Sequence, residues 1–218
     1  MTGITAYTAQ NVLNYITGRT AMPTLPTVYG ALFTVAGTDS GTGFTEVSAG
    51  AYARVALATP FGTAASGVAP STISNSAAIN FPAATASWGN IIAFGIYDAA
   101  TGGNLLAWDY LGNDPWFPFS CTLASPGVLT AIGMTAGSTP ALANGAIAVV
   151  TAEYGGVLPT GLVAGTQYTV AGLAADTFNL GTNTTTTGSG MIRQVVPQTV
   201  PSGISVIIAA GSVTLVLS

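Results

Sequence analysis

Residues 90–111 read NIIAFGIYDAATGGNLLAWDYL. Two apolar runs, rich in Ile, Leu and aromatic side chains, flank Thr101-Gly102-Gly103-Asn104. β-Branched and aromatic residues suit a pleated, half-buried surface. A Gly-Gly pair accepts the positive φ angles of a tight reversal. The stretch therefore predicts a β-hairpin, one strand ending near Tyr97 and the next starting at Leu105.

The same texture extends both ways. TVYGALFTV (27–35), YARVALA (52–58) and AINF (78–81) precede the hairpin, after Pro23 and Pro26. AIAVVTAEY (146–154), QYTVAGLA (167–174) and TFNLGT (177–182) follow it. Clusters of Gly, Pro, Asn, Ser and Thr separate the runs, as turns require. Asn183–Gly190 is threonine-rich and reads as an exposed hairpin or a loop. ISVIIAAGSVTLVLS (204–218) reads as a closing hairpin with its turn at Ala210-Gly211. One helix is expected near the start: Thr8 as N-cap, Ala9, Val12, Leu13 and Ile16 on one face, Gly18 as the stop. So short a helix is marginal alone. It must cover its own sheet or reach a neighbouring subunit.

Asp114-Pro115-Trp116-Phe117-Pro118-Phe119 reads as a packed loop, after which the composition simplifies. The expected organisation is a base domain of residues 1–120 plus 196–218, carrying an inserted small β module of residues 121–195. The fold class is all-β: an antiparallel sandwich or jelly-roll-like domain with a short N-terminal helix.

Charge is scarce. Charged residues make up 5% of the chain, against roughly 25% in ordinary domains. A soluble monomer normally covers itself in mixed charge. Depletion of charge is a mark of interface cores, so much of this surface is expected to meet copies of the chain or other partners. The net charge is −4 and Arg19, Arg54 and Arg193 stand far apart. That excludes a nucleic-acid groove, which needs clustered cations. The first ten residues lack a basic segment and an apolar core, so no signal peptide is expected. No run has the length and apolarity of a membrane span. Cys121 is the one cysteine, which rules out an internal disulfide and suits a buried free thiol.

Chemistry has few carriers. With no His and no Lys, triads and most general-base schemes disappear. Asp109 and Asp114 are the nearest carboxylate pair for glycoside cleavage, but loop aspartates beside Gly, Asn and Pro are ordinary turn formers. Asp39-Ser40-Gly41-Thr42 and Asn113-Asp114 offer oxygens, yet calcium takes 6–8 ligands. Gly41-Thr42-Gly43 and Gly188-Ser189-Gly190 lack the context of a phosphate loop. No catalytic, cofactor or metal site is expected. Glu46 and Arg54 flank a short turn and are expected to form a structural ion pair. Trp108, Trp116, Phe117 and Phe119 are candidates for interface anchors, with a sugar-stacking platform, including Trp88, as the weaker alternative.

TVYGALFT, Gly43-Phe44-Thr45-Glu46-Val47 and Gly50-Ala51-Tyr52-Ala53-Arg54 occur in that order. Asn75–Ala84, Trp88-Gly89, Phe94–Ala99 and Thr101–Leu106 follow. The series resembles small virion proteins of tailed bacteriophages, commonly labelled tail fibre proteins, some of whose relatives act in head decoration or as head fibres. Pro201-Ser202-Gly203 with the final run resembles the closing segment of that family. The resemblance covers about residues 24–112 and 196–218. Residues 121–195 depart from it and resemble a small β module inserted in phage structural proteins. The resemblance implies a virion location and assembly by binding, with no catalytic residues or cofactor. The implied partners are the chain itself, as a homotrimer, other virion proteins such as the major capsid protein, and host glycans.

Overall fold

A computed structural model describes residues 4–21, 27–57, 61, 70–112, 116–131, 142–152 and 157–217. Pro23, Pro26, Asn113, Asp114, Gly155 and Gly156 lie outside them. One helix, α1 (Ala6–Ile16), is followed by β1 (Tyr29–Val35), β2 (Thr45–Glu46), β3 (Val55–Ala56) and β4 (Ser71–Ser74). Next come β5 (Ile79–Ala83), β6 (Gly89–Ile91), β7 (Ala93–Tyr97) and β8 (Leu105–Tyr110). Strands β9 (Phe117–Cys121), β10 (Val128–Ala131), β11 (Ile147–Thr151), β12 (Gln167–Thr169), β13 (Ala171–Ala174), β14 (Thr177–Asn179) and β15 (Gly188–Val195) follow. The chain ends in β16 (Gln198–Val200), β17 (Ser205–Ile208) and β18 (Thr214–Leu217). The fold is all-β with one short helix, and the ladders are antiparallel.

The chain divides into two compact units, 1–110 with 198–218, and 111–197. The boundary expected at 120/121 therefore falls at 110/111. The reason is β9: it pairs with β15 and β10, so the aromatic stretch read as a loop is a strand of the second unit. Its prolines hid it. Pro118 lacks the N–H that a central strand needs. It faces Met191 of β15 and lies beyond the β10 ladder, which runs from Phe119 to Cys121.

In the first unit the expected hairpin is present, with β7 ending at Tyr97 and β8 starting at Leu105. Asp98 closes the loop: its Oδ1 accepts from the Asn104 N–H at 2.7 Å and its Oδ2 from Asn104 Nδ2 at 2.8 Å. The sheet runs β2-β1-β7-β8, with β3 also on β1. Ala31, Leu32 and Phe33 of β1 and Ala93 to Ile96 of β7 are all buried. A Cβ at Gly95 would meet Phe33 Cε2 at 2.6 Å and Leu105 Cδ1 at 2.8 Å, so only glycine allows this close packing.

The C-terminal segment departs from expectation. Ala210-Gly211 does turn, with the Ser212 N–H donating to Ala209 O at 3.2 Å. Yet β17 and β18 do not pair with each other. β16 pairs with β6, β17 with β5 and β18 with β4. The last twenty residues thus run back along 71–91 as an interrupted two-stranded ribbon. Asn75 holds the irregular centre, where its side chain is 1% exposed. Its Nδ2 donates to Ala77 O at 2.9 Å and Ala209 O at 2.8 Å, and its Oδ1 accepts from the Val213 N–H at 2.8 Å.

In the second unit the sheet order is β12-β11-β15-β9-β10-β14-β13. β12 and β13 stand at opposite ends of that order, yet Val170 alone separates them. The sheet has curled until its edges meet in one bent segment, as in small barrels. Phe119, Leu129, Ala148, Val150, Phe178 and Ile192 fill the interior. The threonine-rich run splits: Gly188–Gly190 open β15, and Thr184 is buried, donating to Thr122 O at 2.7 Å.

Replacing Asn75 with Ala removes three hydrogen bonds from this centre, to Ala77 O, Ala209 O and the Val213 N–H, each worth about 0.5–1.5 kcal/mol. Asn75→Ala is expected to destabilise the chain by about 3 kcal/mol in urea unfolding. Hydrogen exchange should show protection lost first in residues 205–217.

Candidate functional site

Glu46 lies on β2, the edge strand beside β1, and Arg54 stands just before β3, the other short strand on β1. β1 therefore brings the two side chains together. Arg54 Nε donates to Glu46 Oε1 at 2.9 Å and Nη2 to Oε2 at 2.7 Å, a two-point fork. Nη1 donates to Ala99 O at 2.9 Å and Gly102 O at 2.7 Å, in the β7–β8 loop. The guanidinium lies 3.4 Å over the Tyr97 ring, a cation–π contact. Tyr52 completes the group: its hydroxyl donates to Glu46 Oε1 at 2.9 Å and accepts from the Leu32 N–H at 3.0 Å. Burial pushes the Tyr52 phenol well above its ordinary range. It opposes the charge on Arg54 too, but the hydrogen bonds and charge of Glu46 prevail and raise its pKa.

The Arg54 side chain is 7% exposed and that of Glu46 25%. Four of the five guanidinium N–H groups are engaged by these bonds. Little donor capacity is left for a ligand, so the cluster is a brace that ties two sheet edges to the hairpin loop. Sequence reasoning missed Tyr52 and Tyr97. Tyr52 was visible in principle, two residues before Arg54 on the same side of an extended segment. Tyr97 joins only through pairing of β7 with β1.

The aromatic candidates separate. Trp108 and Phe119 are buried, each within its own unit, while Trp116 and Phe117 are half-buried. Phe117 packs against the core of the second unit. Trp108 meets Phe44 edge-on at 5.0 Å and Tyr110 at 5.1 Å. Trp88 is 3% exposed and donates through Nε1 to Gly50 O at 2.9 Å. Stacking of a sugar needs an open ring face, and Trp88, Trp108 and Phe119 present none.

The chemical candidates dissolve into local structure. Asp109 Oδ1 accepts from the Tyr110 N–H at 2.8 Å, and Asp114 lies outside the described residues. Around Asp39 the hydroxyls bond one another, Thr38 with Ser40 at 2.6 Å and Ser40 with Thr42 at 3.0 Å. Among the described residues no group of three or more metal-ligating His, Cys, Asp or Glu side chains converges. Cys121 is buried and unbridged, and burial raises its thiol.

Exposed apolar side chains mark two surfaces of the first unit. α1 is capped by Thr5, not by Thr8. Thr5 is buried because its hydroxyl also donates to Leu105 O and its N–H to Leu106 O at 3.0 Å. Thr8 instead donates to Leu106 O at 2.8 Å. At the other end Gly18 is left-handed, with the Arg19 N–H on Asn14 O at 2.8 Å and the Gly18 N–H on Tyr15 O at 3.0 Å, a Schellman ending. The helix is thus pinned at its start, yet none of its residues is buried. Leu13, Tyr15 and Ile16 are 58%, 53% and 67% exposed. The second surface is the outer side of the ribbon, with Ile204, Ile207 and Val216 exposed.

Arg54→Met is expected to destabilise the chain by about 3 kcal/mol, since it leaves Glu46 partly buried without its cation. A double-mutant cycle with Glu46→Gln should show that the two losses overlap. Asp39 gives a pH test. Its carboxyl is raised by burial first, lowered in part by the Trp108 indole N–H at 3.1 Å, and raised again by Asp109. A raised carboxyl favours the protonated fold, so stability falls as pH rises from the unfolded to the folded value. Asp39→Asn should therefore raise Tm at pH 7, and the gap should close below about pH 3.9.

The family described as Podophage GP4 fiber I protein gp80 matches residues 3–114. That span carries α1, the Glu46–Arg54 brace and the β7–β8 hairpin. No curated protein matches the chain. With half of its length matched, and with an all-β build in which the Glu46–Arg54 pair is a brace, the chain belongs to the family of the podophage fibre protein gp80, a structural component of the virion.

Proposed function

We propose that the chain is a fibre subunit on the phage head, fixed to the capsid through α1 and acting by binding alone. The observation that carries this reading is α1 itself. It contains no charged residue, it is hydrogen-bonded to β8 at its start, and Leu13 and Ile16, neighbours on one face, are exposed, as is Tyr15. A helix so placed offers an apolar anchor to a groove. The charge-poor composition suits burial among many copies and capsid subunits. Decoration of that kind stabilises the assembled particle by mass action, because it binds the shell and not its free parts. A homotrimer is the expected state of the subunit.

A tail fibre that contacts host glycans is the second reading. Thr185, Thr186 and Thr187 favour it, as three successive exposed threonines on one loop of the second unit.

Immunogold microscopy of intact particles, with antibody against the second unit, separates the readings. Label over the head is the expected result. Label confined to the tail overturns the head assignment and favours the glycan reading. Leu13→Glu with Ile16→Glu removes two apolar contacts, each worth about 1.5–3 kcal/mol when fully buried. Particles made with this variant should lose label by about tenfold or more, while circular dichroism of the variant stays native. Unchanged label would rule out α1 as the anchor.

A further inference from the structure

No charged residue lies between Arg54 and Asp98, and none follows Arg193. All six strands of the ribbon fall in those two spans. Each of its ladders has two strands. Among the described residues, the far edges of β17 and β18 therefore carry no strand. Proteins usually blunt such an edge with Lys, Pro, a bulge or a covering segment. On the 71–91 arm some blunting is visible. Pro82 sits in β5, Phe61 bridges to Asn75, and the extra residue of the β5–β17 irregularity lies in β5, where Asn80–Ala83 oppose Ser205–Ile207. β17 (SVII) and β18 (TLVL) have neither charge nor proline, and β18 keeps an unbroken four-pair register. Beside the edge, Ile204, Ile207 and Val216 are 49%, 63% and 43% exposed.

We propose that the β17–β18 edge pairs with the same ribbon of a second copy of this chain. Charge complementarity selects that occupant. A partner that brings charge would strip it of water against a surface with no counter-charge, which is costly. A second copy brings none to bury. It offers a second uncharged edge, whose backbone groups supply the ladder, while its own Ile207 and Val216 supply apolar contact. The inference rests on the reading that the chain self-associates; pairing of like edges is twofold, so this contact joins two copies and is distinct from the threefold of a trimer.

Light scattering after gel filtration of the full chain tests both levels. Wild type is expected to be oligomeric, and Ile207→Lys with Val216→Lys to weaken association by about tenfold or more, with circular dichroism unchanged. Both side chains are exposed, so the substitutions spare the core. A second measurement covers loss of folding: Ile207→Cys should form a reducible link between copies under mild oxidation, because Cys121 is buried and silent. An oligomeric wild type whose state survives the lysine pair, with no link through Ile207→Cys, overturns the ribbon and leaves self-association standing. A wild type that stays monomeric at all concentrations overturns both.

Discussion

With three cations and seven carboxylates in 218 residues, several long-range closures of this fold rest on single polar side chains bonded to distant backbone, beside the strand ladders. Among the described residues the buried polar ones are Thr5, Asn75, Thr184 and Arg193. Thr5 reaches Leu105 across 100 positions, Asn75 reaches Ala209 across 134, Thr184 reaches Thr122 across 62, and Arg193 reaches Gly112 across 81. Each gives a buried side chain its hydrogen-bond partner, and leaving such a polar group unpaired costs about 1–3 kcal/mol. Each also fixes one place where the chain returns to itself. Apolar burial supplies the bulk of the stability, but it is non-directional. These four bonds give it register.

The Glu46–Arg54 brace works by the same logic on a larger scale. One guanidinium joins a carboxylate, two loop carbonyls and an aromatic ring. It holds β2, the segment before β3 and the β7–β8 loop in one arrangement. Its saturation is why it reads as structure: an arginine that recognises a ligand keeps its fork open.

The two units treat their strand edges differently. The second curls until its two terminal strands, β12 and β13, follow each other in one bent segment. The first leaves its C-terminal strands in single ladders, uncharged and with apolar side chains outward. A free edge of that composition is a hazard in a monomer and a means of assembly in a subunit. Membership in a fibre-protein family gives the second alternative its context.

Strand content, the Tyr97–Leu105 hairpin, the paucity of charge and the absence of His and Lys were legible in residues 90–111 and in composition. They are local or additive properties: β-branched runs, a Gly-Gly turn, a count of side chains. The partner of ISVIIAAGSVTLVLS was not legible. Its Ala210-Gly211 turn carries the signal of a hairpin, yet the lowest-energy partner lies more than 120 positions away, where Asn75 and Ile79 are already placed. β9 was hidden by Pro118, which its ladder register accommodates, and Thr5 displaced Thr8 as the cap because β8 passes beside it. Sequence by itself determined which segments extend and how little charge they carry, since those depend on each residue and its neighbours. Tertiary structure alone decided which edges close, which stay open and which aromatics reach the surface, since pairing and burial depend on what the rest of the chain brings alongside.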